Sequence, residues 1–240
     1  MNHTAGTKFF EETWFYAPVQ GTGGLVSLPA EEAHHALRVL RLKAGDEIVV
    51  TNGAGRVFRS KLVEDCTRIE VGECLRHDPS PPALSLAIGM LKGRDLEIPV
   101  EAACEFDVAE VFLLRTDHSS EFSGQSFDRL LERLQQKSLV ALKQAKKSWL
   151  TRLHAPRELR EWRELHRAIP LALAHPGLDT LPSPLPTPFH LLVGPEGGFS
   201  SGELEYLSAQ ENCYRLSLGR TRIRAVHAPL AAIGNLLARG

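Results

Sequence analysis

Short apolar runs alternate with longer amphipathic segments through the second part of the chain. The apolar runs predict strands at 84–90, 108–114, 169–174, 189–193 and 214–218. The amphipathic segments predict helices at 96–106, at 127–149, from 201 onward and at 226–239. Strands that alternate with helices are typical of a parallel α/β sheet, in which ligands bind beyond the carboxyl ends of the strands.

In the first part of the chain, apolar and polar residues alternate over shorter segments. Strands are predicted at 25–28, 46–51, 56–63 and 68–75, and Asn52-Gly53-Ala54-Gly55 is typical of a hairpin turn. A helix is predicted from Pro29 to Leu42, with Ala33, Leu37 and Leu40 facing the core. Several short strands with one helix predict a small β-barrel.

A proline-rich segment separates the two patterns. Pro79, Pro81 and Pro82 lie within four residues and predict a stiff linker at 77–82. The expected organisation is therefore a barrel domain at 1–76 and an α/β domain at 83–240.

A glycine-rich turn follows the predicted strand 189–193. It contains Gly194, Gly197 and Gly198, and the next residues, Ser200 and Glu203, have the spacing of a capping box. Such a turn before a helix brings backbone N–H groups to a ligand. A tight turn without a ligand is the alternative, because the glycine spacing is neither that of a P-loop nor that of a dinucleotide fingerprint. Two other predicted strand ends, 175–177 and 218–224, are expected to converge with it.

Composition excludes several classes of protein. The formal net charge of −1 does not indicate a nucleic-acid partner by itself. The four cysteines do not pair as C-x-x-C, and the sequence predicts no metal site. The N-terminal residues 1–14 lack the apolar segment of a signal peptide, and no apolar run approaches the roughly 18 residues of a membrane helix. A cytoplasmic protein without a membrane segment is expected.

Three motifs of the chain carry a resemblance to a known family. The first is Leu192-Val193-Gly194-Pro195-Glu196-Gly197-Gly198-Phe199 with the later Leu218-Gly219, Ile223-Arg224 and Ala228. The second is His34-His35, Arg38-Val39-Leu40-Arg41-Leu42, Gly45-Asp46, Asn52-Gly53 and Gly55. The third is Ala141-Leu142-Lys143-Gln144. Together these ordered motifs resemble those of the SPOUT RNA methyltransferases, and among these the 16S ribosomal RNA uridine-N3 methyltransferases, and the second motif resembles a segment of that family's PUA-like barrel.

The resemblance implies an N-terminal PUA-like β-barrel, a C-terminal trefoil-knotted α/β domain, bound S-adenosylmethionine and a homodimer. It implies methylation of N3 of a uridine in small-subunit ribosomal RNA. Two segments depart from the family pattern: Val226 and His227 replace a Glu and a Thr, and segment 101–107 lacks a Lys and a Gly. Methylation of a ribose 2′-hydroxyl, an RNA-binding protein without turnover and, more distantly, a metabolite-binding protein remain alternatives.

The resemblance also assigns roles to residues. Arg224 is expected to stabilise negative charge on the deprotonated uracil, and Glu196 to orient the glycine turn or bind a ribose hydroxyl. A surface arginine and a loop-internal hydrogen bond are the respective alternatives, and His227 is a weaker candidate base. The residues expected to bind the cofactor are Leu173, His175, Val193, Gly194, Glu196, Gly197, Leu218, Gly219 and Ile223.

Positive side chains are the candidates for RNA contact. The segment 129–167 contains eleven Lys or Arg, and the predicted barrel adds more. Phosphate contacts from such residues position RNA without reading its sequence. A solvated helix face is the alternative explanation. The expected RNA-binding residues are His34, Arg38, Arg41, Lys43, Arg56, Lys143, Lys146 and Lys147, with the three lysines on one side of a helix.

Overall fold

The computed structural model describes residues 13–64, 66–120, 124–177 and 179–239, and its chain divides into two compact units. The first unit comprises the described residues up to Pro81 together with Leu139–Leu150, and the second comprises Pro82–Ser138 and the described residues from Thr151. Residues 1–12, which make up most of the N-terminal segment considered for a signal peptide, lie outside the described residues.

A five-stranded sheet forms the first unit. Its strand order is β1-β3-β4-β5-β2, and all neighbours are antiparallel except β1 and β3, which are parallel. The strands are β1 (Trp14–Tyr16), β2 (Leu25–Ser27), β3 (Glu47–Thr51), β4 (Arg56–Val63) and β5 (Arg68–His77). Alternation along β4 buries Phe58, Ser60 and Leu62 on one face of the strand. The predicted strands are confirmed within about two residues, whereas the three-residue β1 was not predicted.

The helix of the first unit is shorter than predicted. Helix α1 (Ala30–His34) passes into a π-helical turn at His35–Val39, in which Leu40 N donates to His35 O at 3.0 Å. This wider turn shifts the side chains that follow it. Ala36 is consequently buried, and the prediction that Leu37 faces the core is wrong, because its side chain is 43% exposed. Ala33 and Leu40 do pack against the core.

Six parallel strands form the sheet of the second unit, in the order β11-β9-β10-β6-β7-β8. The strands are β6 (Leu84–Gly89), β7 (Glu110–Arg115), β8 (Arg152–Glu158), β9 (Leu171–Ala174), β10 (Phe189–Val193) and β11 (Cys213–Leu216). The helices are α2 (Glu97–Glu105), α3 (Gly124–Gln144), α4 (Leu159–Leu165), α5 (Ser201–Ser208) and α6 (Ala228–Leu237). The prediction of a parallel α/β sheet is confirmed. No helix in the described part of the chain is both long and apolar enough to cross a membrane.

The long helix ends earlier than predicted, at Gln144 instead of residue 149. Beyond its end the backbone bonds to the β3–β4 hairpin: Gly55 N donates to Ser148 O at 2.8 Å, and Leu150 N donates to Gly53 O at 2.9 Å. A Cβ at Gly55 would lie 2.4 Å from Asp78 O, so only glycine permits this approach. The hairpin thus supplies backbone partners that a continued helix would have supplied internally.

Strand β8 and helix α4 were not predicted. Strand β8 is an edge strand that pairs only with β7 among the described strands, and most of its residues are exposed or half-buried. Its sequence contains Pro156, which sheets tolerate at an edge. The strand therefore lacks the apolar run by which the other parallel strands are predicted.

A cluster of aromatic and histidine rings lies on one face of this sheet, beside helix α4. Phe112 contacts the rings of Trp162, His154, His166 and His190, with centroid separations of 4.4–5.7 Å. The His190 side chain is 6% exposed, and its Nδ1 has no hydrogen-bond partner among the described residues. Burial, together with the nearby His166 and the Arg163 guanidinium, lowers the pKa of His190 from 6.5 to about 3.

We expect His190 to make the folded state sensitive to acid. Below pH 6.5 the unfolded chain binds a proton at this residue that the folded chain does not, so stability is full above pH 6.5 and falls toward pH 3. At pH 5 this residue lowers the free energy of unfolding by about 2 kcal/mol. Urea unfolding at pH 7 and pH 5 measures it, and His190→Phe should remove that part of the difference. The exposed His34→Gln variant should retain it, and an unchanged pH dependence in His190→Phe would contradict the assignment.

Candidate functional site

Three loops of the second unit meet at one edge of its sheet. Strands β11, β9 and β10 are neighbours and parallel, so their carboxyl ends lie side by side. The loops after them enclose a cleft of about 570 Å³. The cleft is lined by residues 174–176, 193–199 and 218–223, together with Ala225 and Ala228. The expected convergence of the three strand ends is therefore confirmed.

A capping box holds the glycine turn against helix α5. Ser200 N donates to Glu203 Oε2 at 2.8 Å, and Glu203 N donates to Ser200 Oγ at 3.2 Å, as the sequence predicts. Glu203 is 4% exposed, and its Oε1 also accepts a hydrogen bond from Asp117 N at 3.0 Å. The start of the helix is thereby joined to the loop that follows β7.

His118 from the same loop supports the turn directly. Its Nδ1 lies 3.2 Å from Gly197 O and 3.3 Å from Gly198 O, so a protonated Nδ1 donates to these carbonyl groups. A Cβ on Gly197 would lie 2.8 Å from the Cβ of His118, which explains why this position needs glycine. Asp117 and His118 were missed in the sequence, although a polar cluster directly after a predicted strand was a signal that could have indicated them.

Glu196 joins the turn to a third loop. Its exposed carboxylate accepts a hydrogen bond through Oε1 from Lys92 N at 3.0 Å, in the segment between β6 and α2. This contact joins residues that are 104 positions apart in the sequence. It is therefore not the hydrogen bond within the glycine turn that was the alternative role of Glu196. Glu196 therefore fixes the position of the Lys92 segment beside the cleft.

A second, smaller cleft of about 200 Å³ adjoins the first. It is lined by Asp95, Glu196 and residues 222–226, and it shares Glu196, Arg222, Ile223 and Ala225 with the larger cleft. Arg224 lines this smaller cleft only, and its carbonyl oxygen accepts from His227 N at 2.9 Å and Ala228 N at 3.0 Å. The backbone of Arg224 is thus fixed at the start of helix α6, while its side chain is exposed.

Most residues predicted to bind a cofactor line the larger cleft. They are His175, Val193, Gly194, Glu196, Gly197, Leu218, Gly219 and Ile223. Leu173 packs in the hydrophobic core instead, and it is paired with Leu192 and Arg215 on the neighbouring strands. The cleft borders the next residue, Ala174. No group of three or more His, Cys, Asp or Glu that could hold a metal ion occurs within the described residues.

The predicted RNA-contacting residues all belong to the first unit. His34, Arg38, Arg41 and Lys43 are exposed on and after helix α1. Arg56 is half-buried, and its guanidinium donates to Gln20 O at 3.1 Å. Four positive or titratable side chains therefore share the segment from the end of α1 to the start of β3.

The prediction that three lysines share one side of a helix is wrong, because α3 ends at Gln144. Lys143 forms an ion pair with the buried Glu32. The ammonium group of Lys146 lies 5.6 Å from the Trp14 ring centroid. Lys147 is 7% exposed. Lys143 and Lys146 thus contact other residues of the first unit.

Comparison with known proteins gives matches over nearly the whole chain. Residues 78–237 match the family model described as an RNA methyltransferase domain, and residues 28–71 match the RNA methyltransferase PUA domain. Ribosomal RNA small subunit methyltransferase E of Synechocystis is 30% identical over 92% of this chain and 75% of its own length.

Solved structures give the same fold. A methyltransferase from Legionella pneumophila, in complex with its cofactor S-adenosylmethionine, has a TM-score of 0.83 at 24% identity, over 95% of this chain and 97% of that one. Ribosomal RNA small subunit methyltransferase E from Neisseria gonorrhoeae, bound to S-adenosylmethionine, has a TM-score of 0.77 at 22% identity, with coverages of 95% and 97%. The predicted PUA-like and α/β architecture is confirmed.

Proposed function

The chain belongs to the RNA methyltransferase family, and from this premise we propose that it uses S-adenosylmethionine to methylate N3 of a uridine in small-subunit ribosomal RNA. The observation that carries the proposal is the cleft at the carboxyl ends of β9, β10 and β11, which lies inside the matched methyltransferase domain. The relative from Synechocystis is named for the small-subunit RNA, which supports that substrate. The motifs that resemble those of the SPOUT family support N3 of a uridine as the methylated atom, and they support a knotted topology.

The residues of the larger cleft suit an adenosyl cofactor. Its volume of about 570 Å³ lies in the range of small-molecule sites, roughly 300–1,000 Å³. Val193, Leu218 and Ile223 offer apolar walls for a purine ring, and the glycine turn exposes backbone groups for hydrogen bonds. The Glu196 carboxylate is a suitable acceptor for a ribose hydroxyl. These residues would hold the cofactor.

The bound cofactor supplies a methyl group on a positively charged sulfur, which an aligned nucleophile accepts. Uracil N3 is a poor nucleophile while it carries its proton, so the site has to remove that proton and stabilise the resulting negative charge on O2 and O4. The Arg224 guanidinium in the adjoining cleft is suited to the second task. Because the two clefts share four lining residues, they can hold the reacting groups side by side.

RNA binding is assigned to the PUA-like unit. His34, Arg38, Arg41 and Lys43 are exposed and close in sequence, which suits contacts with successive phosphates. Arg56 and Lys143 are less suitable, because each already donates to an oxygen within the unit, and the burial of Lys147 excludes it from this surface. Such contacts position RNA, and the choice of nucleotide rests on the methyltransferase site.

We further propose that the protein acts as a homodimer in the cytoplasm without a metal ion. Ile98 and Phe106 on or next to α2, and Leu237 on α6, are 40–49% exposed although they are large and apolar. Helices α2 and α6 pack together, so these side chains belong to one helical pair. The cytoplasmic location follows from the proposed ribosomal substrate.

An RNA-binding protein without turnover is the second candidate, and the departures at Val226 and His227 favour it. Transfer of label from methyl-labelled S-adenosylmethionine to isolated small ribosomal subunits separates the two candidates. We expect label in the small-subunit RNA and only background with large subunits. RNA binding without transfer of label would support the second candidate and overturn the proposed reaction.

A further inference from the structure

We propose that the smaller cleft receives the target base and that Asp95 is the general base that removes the proton from N3. This inference rests on the proposed function and identifies the proton acceptor that the family motifs leave unassigned. It starts from the residues that line the cleft: two acids, Asp95 and Glu196, and two arginines, Arg222 and Arg224. A site of this composition can accept a proton at one wall and stabilise negative charge at another.

The size and position of the smaller cleft suit a single pyrimidine. At about 200 Å³ it falls below the roughly 300 Å³ of typical cofactor-sized pockets. It shares Glu196, Arg222, Ile223 and Ala225 with the larger cleft, so a base in one and a cofactor in the other would touch the same wall. That adjacency is the requirement for direct transfer of a methyl group.

Asp95 is distinguished from Glu196 by its place in the site. Glu196 borders both clefts, and its Oε1 already accepts a hydrogen bond from Lys92 N at 3.0 Å. Asp95 lines the smaller cleft only, and its own N–H donates to Lys92 O at 3.1 Å. Glu196 therefore anchors the turn that carries Asp95, and we assign it as a positioning residue. The earlier candidate base, His227, is exposed and lines neither cleft.

The proposed step balances as a proton transfer followed by methyl transfer. The N3 proton passes to an Asp95 carboxylate oxygen, and the electron pair left on N3 forms the new bond to the methyl carbon. The pair from the broken carbon–sulfur bond stays on sulfur and neutralises its positive charge. Arg224 stabilises the negative charge that O2 and O4 carry while N3 is deprotonated.

Asp95→Asn tests the assignment, because the amide keeps the size of the side chain and cannot accept the proton. We expect the single-turnover rate of methyl transfer to fall by about 10²–10⁴-fold. Equilibrium constants for S-adenosylmethionine and for small-subunit RNA should stay within about twofold of the wild type. Asp128→Asn, at an exposed position on α3, is the matched control and should retain the wild-type rate.

A more acidic substrate distinguishes a base from a structural residue. RNA transcribed with 5-fluorouridine carries an N3–H that is lost more readily, so the deficit of Asp95→Asn should shrink on this substrate and as the pH rises. Glu196→Gln keeps an oxygen for the Lys92 N–H, so we expect a smaller deficit without this rescue. Rescue of Glu196→Gln alone would overturn the assignment.

Failure of the inference and failure of the proposed function give different results. A wild-type protein that methylates uridine N3 alongside an equally active Asp95→Asn variant would overturn only the role of Asp95. A wild-type protein that binds RNA and transfers no methyl group would overturn the reaction itself, and the assignment of Asp95 with it.

Discussion

Tryptophan in place of Ala225 is expected to abolish binding of S-adenosylmethionine. Ala225 is half-buried and lines both clefts, so an indole at this position would occupy the space proposed for the cofactor. We expect the dissociation constant to rise at least about 100-fold, which corresponds to about 2.7 kcal/mol. Isothermal titration of the purified variant with the cofactor measures the effect.

The matched control is Ala168→Trp. Ala168 is exposed before strand β9, at the amino end of the sheet, whereas the cleft lies at the carboxyl ends. This variant should bind the cofactor like the wild type, and thermal unfolding should show that both variants are folded. Unchanged affinity in a folded Ala225→Trp variant would place the cofactor elsewhere.

Arg224→Ala is expected to reduce turnover by about 10²–10³-fold, the usual cost of removing one group that stabilises a developing negative charge. Cofactor affinity should change little, because Arg224 lines the smaller cleft and not the larger one. Single-turnover transfer to small subunits measures the rate, and Arg224→Lys should recover part of it because the positive charge is kept.

Arg167→Ala is the control for this variant, since its exposed side chain lies before β9, away from the strand ends that form the cleft. It should transfer methyl groups at the wild-type rate. If Arg224→Ala retained full turnover, Arg224 would be a surface arginine, the alternative left open by the sequence. If it lost cofactor affinity and turnover equally, its role would be in binding.

Local chemistry explains which parts of the site could be predicted from the sequence. The capping box of Ser200 and Glu203 depends on residues three apart, and the glycine turn follows an apolar strand that any periodicity analysis finds. A parallel sheet also places the three strand ends at the same edge. These features needed no knowledge of distant contacts.

The remaining features depend on contacts between residues far apart in the chain. The polar residues after β7 could indicate a site at this edge of the sheet, but the sequence around His118 or Asp95 does not show that either lies beside residues 196–198, about 80 to 100 positions away. The end of α3 depends in the same way on the hairpin at Gly53 and Gly55, which bonds to Ser148 and Leu150. Without that contact, the lysines after residue 143 would be expected on a helix, as the sequence predicted.

The most direct test of the central claim is the identity of the methylated nucleoside. Small ribosomal subunits that lack the modification would be incubated with the protein and S-adenosylmethionine, and their RNA digested to nucleosides for mass spectrometry. We predict one new product that co-elutes with 3-methyluridine and that forms about 10²–10³-fold more slowly with Arg224→Ala. A new 2′-O-methylated nucleoside in its place would contradict the assignment of N3, and transfer without any methylated uridine would contradict the proposed substrate.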